Sequence, residues 1–111
     1  MSQLTNLAFI RARPGRTGAL GAALAALVGP TRLEAECLNY DLHQSAEDAD
    51  VWFVYENWRS PEGLDAHMRT EHVQAFLKRT PDLIAGDMDL RRFSMVSQPA
   101  ADAPGGCPGG V

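Results

Sequence analysis

The chain has 111 residues, room for one hydrophobic core but not for two. Its 45% hydrophobic and 22% charged residues are ordinary for a globular domain and exclude disorder of the whole chain. A net charge of -4 and a pI near 5.2 lack the basic excess of a nucleic-acid binder, and no apolar run approaches the ~18 residues of a membrane span.

Leu4–Arg13 is extended in character and ends at the turn signal Pro14-Gly15. The period then changes. Leu20, Leu24, Leu27 and Val28 recur at helical spacing, with Thr17 as the expected N-cap and Gly29-Pro30 as the expected stop. Gly21 lowers the propensity of this helix by about 1 kcal/mol relative to Ala, so packing of the leucine face has to outweigh it. Ala19–Val28 is the most apolar stretch of the chain. It is short, broken by Gly21 and preceded by a strand-like segment, which is not the pattern of a secretory leader. The chain is therefore expected to start at Met1 and to stay in the cytoplasm.

Pro30–Glu36 reads as an irregular or helical turn. Cys37–Gln44 alternates, with Leu38, Tyr40 and Leu42 on one side and Asn39, Asp41 and His43 on the other, as a strand does. Ser45–Asp50 suits a hairpin loop. Val51–Trp58 is the strongest strand signal, and its apolar run through Tyr55 needs cover on both faces. Ser60-Pro61-Glu62 opens a second helix: a side-chain acceptor, a fixed φ and a carboxylate at the positive end of the dipole. This helix is expected to carry Leu64, Met68, Ala75, Phe76 and Leu77 inward. Thr70 offers a second cap, which predicts a bend near Arg69–Glu71, and Thr80-Pro81-Asp82 ends the helical region. Asp87–Ser97 is a last strand. Residues 98–111 are rich in Ala, Pro and Gly and read as a flexible tail beyond a domain of residues 1–97. Cys37 and Cys107 make no disulfide framework.

The order β-α-β-β-α-β predicts an α+β, ferredoxin-like sandwich: an antiparallel four-stranded sheet with both helices on one face. Either parity of the third strand is apolar, Trp52 and Val54 or Val51, Phe53 and Tyr55. Leaving one set exposed on a monomer would be unusual. A two-fold homodimer in which the open faces meet is the expected assembly, and a ligand groove on that face is the alternative.

Pro30-Thr31-Arg32, Glu36 to Leu42, Tyr55-Glu56-Asn57-Trp58, Leu64-Asp65-Ala66-His67, His72 and Phe76 together resemble the antibiotic biosynthesis monooxygenase (quinol monooxygenase-like) family of dimeric α+β barrels. Ala35-Glu36 departs from the Pro-Gly turn common in relatives. The resemblance implies cofactor-free oxygen chemistry, in which a deprotonated quinol or anthrone passes an electron to O2. Such a reaction needs a base, donors for an oxyanion and a dry aromatic pocket.

For that chemistry His67 is the base candidate, against a histidine that ties helix to sheet. Asn6 interrupts an apolar strand and resembles the strand asparagine of some relatives; a sheet-rim polar residue is its plain reading. Trp58 is either a pocket wall with an N–H donor or core packing. Glu56 is either a buried carboxylate of raised pKa or a partner for Arg91 or Arg92. Tyr40 is a donor or a packing residue, Phe76 a pocket wall, and His72 either lines a pocket mouth or sits on the surface. No cofactor is expected, since neither G-x-G-x-x-G nor a Walker-type loop is present. No metal site is expected either: His67 and His72 lie five apart, ~140° around a continuous helix, and nothing in the sequence brings His43 to them. A haem-binding or haem-degrading relative and a non-catalytic small-ligand barrel are the alternatives. A site, if present, is expected between the open sheet face and the second helix.

Overall fold

A computed structural model describes residues 3–98. The order is β1 (Leu4–Arg11), α1 (Thr17–Arg32), β2 (Cys37–Gln44), β3 (Val51–Trp58), α2 (Pro61–Met68), α3 (Glu71–Leu83) and β4 (Asp89–Phe93). The strands form one antiparallel sheet in the order β2-β3-β1-β4. This is the ferredoxin-like sandwich expected. The Ala/Pro/Gly-rich tail and Cys107 lie outside the described residues.

The core lies between the sheet and the helices. Leu20, Leu24 and Leu27 of α1 pack with Ala8, Ile10, Val54 and Trp58 of the sheet and Leu64, Phe76 and Leu83 of the other helices. Gly21 has a packing reason: a Cβ there would lie 2.5 Å from the indole of Trp52, so only glycine lets the ring reach α1. Trp52 is held by its N–H, which donates to Thr17 Oγ1 at 2.9 Å, while the Thr17 hydroxyl donates to the Ala49 carbonyl at 2.6 Å. Thr17 is therefore the first residue of the helix rather than its cap; Arg16 holds the N-cap position without a side-chain hydrogen bond.

Both expected proline stops are passed. Helix α1 continues through Pro30 to Arg32, whose guanidinium donates to the Tyr40 carbonyl at 3.1 Å and to Asp41 at 2.8 Å. The last turn is thus tied to β2. In α3, Pro81 cannot donate to the Leu77 carbonyl, and the Thr80 hydroxyl does so instead at 2.8 Å. The caps of α2 and α3 are as expected: Ser60 accepts from the Gly63 N–H and Thr70 from the Val73 N–H. The break between the two helices falls at Arg69-Thr70. On α3 the buried residues are Val73, Phe76 and Leu83, and Ala75 is exposed, contrary to expectation.

A register shift between Cys37 and Asn39 breaks the alternation expected for β2. Cys37 and Tyr40 pack on the core, while Leu38 is 41% exposed. The last strand is shorter than expected and exposed throughout. The sheet does have two apolar faces. On the face away from the helices Phe9 stacks on Phe53 at 5.0 Å, with Tyr55 and Phe93 exposed nearby in register. No helix of the described chain is long and apolar enough to cross a membrane.

Candidate active site

On β1 and β3 one strand parity faces the helices, and polar residues stand among its apolar ones. Asn6 and Glu56 are paired across the two strands, and they are 4% and 3% exposed. They line a cleft between the sheet and the helices. Tyr40, His67 and Phe76 also line it, with Leu24, Leu27, Val54 and Leu90 among the apolar wall. A site was expected between the open sheet face and the second helix; the cleft lies on the helix-covered face instead, with His67 of α2 in its lining. The reason is parity: the residues next to Asn6 and Glu56 along their strands point the other way. The cavity volume is only about 50 Å³. The cleft is a narrow slot.

Glu56 Oε1 accepts the indole N–H of Trp58 at 3.0 Å, and Asn6 stands beside it on β1. Burial still dominates and pushes the Glu56 carboxyl up from 4.5 to about 7, with the charge of Glu34 adding to the effect. Arg91 and Arg92, the partners considered from sequence, pair with Asp89 and Asp65 instead. Asn6 Oδ1 is buried with no hydrogen-bond partner among the described residues, so the cleft wall carries an unused acceptor. Burial, followed by the charges of Glu56 and Glu34, holds the Tyr40 phenol above its ordinary range. Tyr40 therefore keeps its proton at neutral pH.

His67 stands between Trp58 and Tyr40, with ring centroids 4.7 Å and 5.5 Å away. Its Nδ1 meets Glu34 Oε2 at 2.9 Å. A carboxylate on Nδ1 fixes the ring and places the proton there, leaving Nε2 as the acceptor nitrogen. Burial depresses the imidazole pKa, against the raising effect of Glu34, so the ring is neutral at pH 7. Trp58 is fully buried and reaches the cleft only through Glu56 and His67. His72 does not line the cleft. It lines a separate groove with Ala23, Leu27 and Arg79, and its Nε2 meets the same Glu34 oxygen at 2.7 Å.

Glu34 was not legible as a site residue. It sits in the loop between α1 and β2, 33 and 38 residues from its two histidines, and no local pattern marks it. The helical-wheel argument that separated the histidines fails because no continuous helix joins them. Helix α2 stops at Met68, Thr70 caps the start of α3, and the redirected chain brings the two rings to 6.0 Å.

Fold and cleft together define a ferredoxin-like α+β domain with a buried polar slot between sheet and helices. Residues 4–79 match the family model described as antibiotic biosynthesis monooxygenase, and the chain belongs to that family. Among named relatives, the Mycobacterium tuberculosis protein Rv0793, which carries a provisional monooxygenase name, is 35% identical over 72 residues, 65% of this chain and 70% of its own. An uncharacterised Synechocystis protein, sll1783, is 23% identical over 86 residues, 78% of this chain, and the match spans 58% of that longer protein. Among solved structures, PA3566 of Pseudomonas aeruginosa superposes with a TM-score of 0.83 at 36% identity, covering 87% of this chain and 97% of its own. The Rv0793 structure gives 0.82 at 28% identity, covering 87% and 98%.

Proposed function

We propose that the chain is a cofactor-independent monooxygenase that oxidises a quinol- or anthrone-like aromatic with O2, acting as a homodimer. One observation carries the reading. Asn6, Tyr40, Glu56, His67 and Phe76, each chosen from sequence for this chemistry, line a single slot in which Glu34 holds His67 through Nδ1, with no hydrogen bond to its Nε2 among the described residues.

The residues divide the work as follows. His67 Nε2 accepts a proton from the substrate. The resulting anion gives one electron to O2, and the substrate radical and superoxide combine to form a C–O bond. On an anthrone-like methylene, loss of the remaining C–H proton and cleavage of the O–O bond leave a carbonyl and release water; one substrate and one O2 are consumed. Tyr40 and the protonated form of Glu56 are the donors for the developing oxyanion. Asn6 Oδ1 accepts a substrate hydroxyl. Phe76 and the aliphatic wall exclude water, which strengthens each of these interactions. The apolar outer face with Phe9 and Phe53 supports the homodimer, since a partner there would cover it.

The narrowness of the slot favours one competing reading, a small-ligand barrel without turnover. Oxygen uptake over a panel of quinols and anthrones separates the two. Consumption of one O2 per anthrone without peroxide release is expected, with kcat reduced at least ~100-fold in His67→Ala. Equal turnover by wild type and His67→Ala removes the assigned base. Binding of panel members with no uptake establishes the non-catalytic reading.

A further inference from the structure

We propose that Glu34, His67 and His72 form a binding site for one first-row divalent transition-metal ion, with zinc as the type ion. Glu34 Oε2 lies 2.9 Å from His67 Nδ1 and 2.7 Å from His72 Nε2, and all three donor atoms fall within 4.8 Å of one another. Two imidazoles and one carboxylate are the donor set of borderline ions such as Zn²⁺, Co²⁺ and Ni²⁺, not of Mg²⁺ or Ca²⁺, which take oxygen ligands.

The donors come from three separate elements that are fixed independently. Thr70 holds the break between α2 and α3: its hydroxyl donates to the His67 carbonyl at 2.7 Å and accepts from the Val73 N–H. The α1–β2 loop is tied to the start of α2, where the Ser60 hydroxyl donates to Glu36 at 3.0 Å. Among the described residues the charged partners of Glu34 are the two histidines, and no Arg or Lys pairs with it. A divalent ion would supply that missing positive charge.

The present spacings are those of hydrogen bonds. Ligand atoms on a tetrahedral ion with bonds of about 2.1 Å sit roughly 3.4 Å apart, so an entering ion displaces the shared protons, moves the carboxylate back by about half an ångström and draws the two imidazole nitrogens, now within 4.8 Å, to that spacing. Glu34 stands in a loop, where such a shift is small. The side chain of His72 is 23% exposed and that of Glu34 15%, which gives the ion a path from solvent and leaves room for a water as fourth ligand. Occupancy also acts on the cleft. A metal on Nδ1 keeps the proton of His67 on Nε2 and turns that nitrogen from acceptor to donor, a consequence that rests on the oxygenase reading, whereas binding itself does not.

Co²⁺ titration of the full chain, followed by visible absorption, tests the site. Saturation at one ion per chain with the d–d bands of an N2O-ligated ion is expected, Zn²⁺ should bleach those bands, and Mg²⁺ should not. His72→Ala and Glu34→Gln should each weaken binding at least ~10-fold. Glu34→Gln keeps an acceptor for both rings, and His72 is only half-buried, so at least one variant retains the fold, checked by circular dichroism. Absence of the bands at millimolar Co²⁺ overturns the site. Equal affinity in wild type and both variants also overturns it and places the ion elsewhere on the chain.

Discussion

Glu56 allows a direct test of the cleft by stability alone. Its carboxyl is pushed from 4.5 to about 7 by burial, so the folded state holds a proton that the unfolded chain has already lost between those pH values. The unfolded state then binds fewer protons than the folded state, and stability falls as pH rises. The loss begins near pH 4.5 and is complete above about 7. The displacement of the pKa corresponds to roughly 3 kcal/mol, since each pH unit is worth about 1.4 kcal/mol. Glu56→Gln removes the titration and keeps an oxygen for the Trp58 N–H. The difference in stability between variant and wild type should therefore shift in favour of the variant by up to about 3 kcal/mol between pH 4.5 and 8. With a urea slope of ~1.5 kcal/mol/M, this moves the unfolding midpoint of the variant relative to wild type by about 2 M. Urea melts at both pH values and one fixed protein concentration supply the measurement, and taking the difference cancels the other titrating groups. A difference that does not change with pH would falsify the claim that Glu56 is buried beside Asn6 and Trp58 with a raised pKa.

Two further outcomes follow from packing. Gly21→Ala should destabilise the protein by about 1–3 kcal/mol in chemical unfolding despite the gain in helix propensity, because the methyl meets the Trp52 ring; an increase in stability would show that the ring is not seated against α1. If the outer faces meet in the homodimer proposed above, Phe53→Arg should give a monomer in light scattering where wild type is a dimer; a dimer in both would place the interface elsewhere, and a monomeric wild type would remove the proposed assembly.

Much of the fold was readable because it rests on local rules. Strand alternation and the β-branched, aromatic run of Val51–Trp58 gave β2 and β3 their observed limits, and Ser60 and Thr70 marked both helix starts of the second helical region. The proline stops misled because distant groups compensate: the Thr80 hydroxyl takes the carbonyl that Pro81 cannot serve, and Arg32 ties the end of α1 to β2.

For the site, the residue types were legible and their arrangement was not. An asparagine and a glutamate within apolar strands, and a histidine on an amphipathic helix, are conspicuous in any one-dimensional reading. That Asn6 and Glu56 stand opposite each other depends on the register of β1 with β3. That the cleft lies under the helices depends on which parity the tertiary core selects. Glu34 had no signal at all, because its role consists of two contacts made across more than thirty residues of chain. The sequence alone determined the ferredoxin-like order of elements and the excess of apolar surface on both faces of the sheet. Only the tertiary structure decided which face holds the slot, and that a helix break at Thr70 turns two histidines toward one carboxylate, since side-chain direction across a break is set by packing and not by spacing.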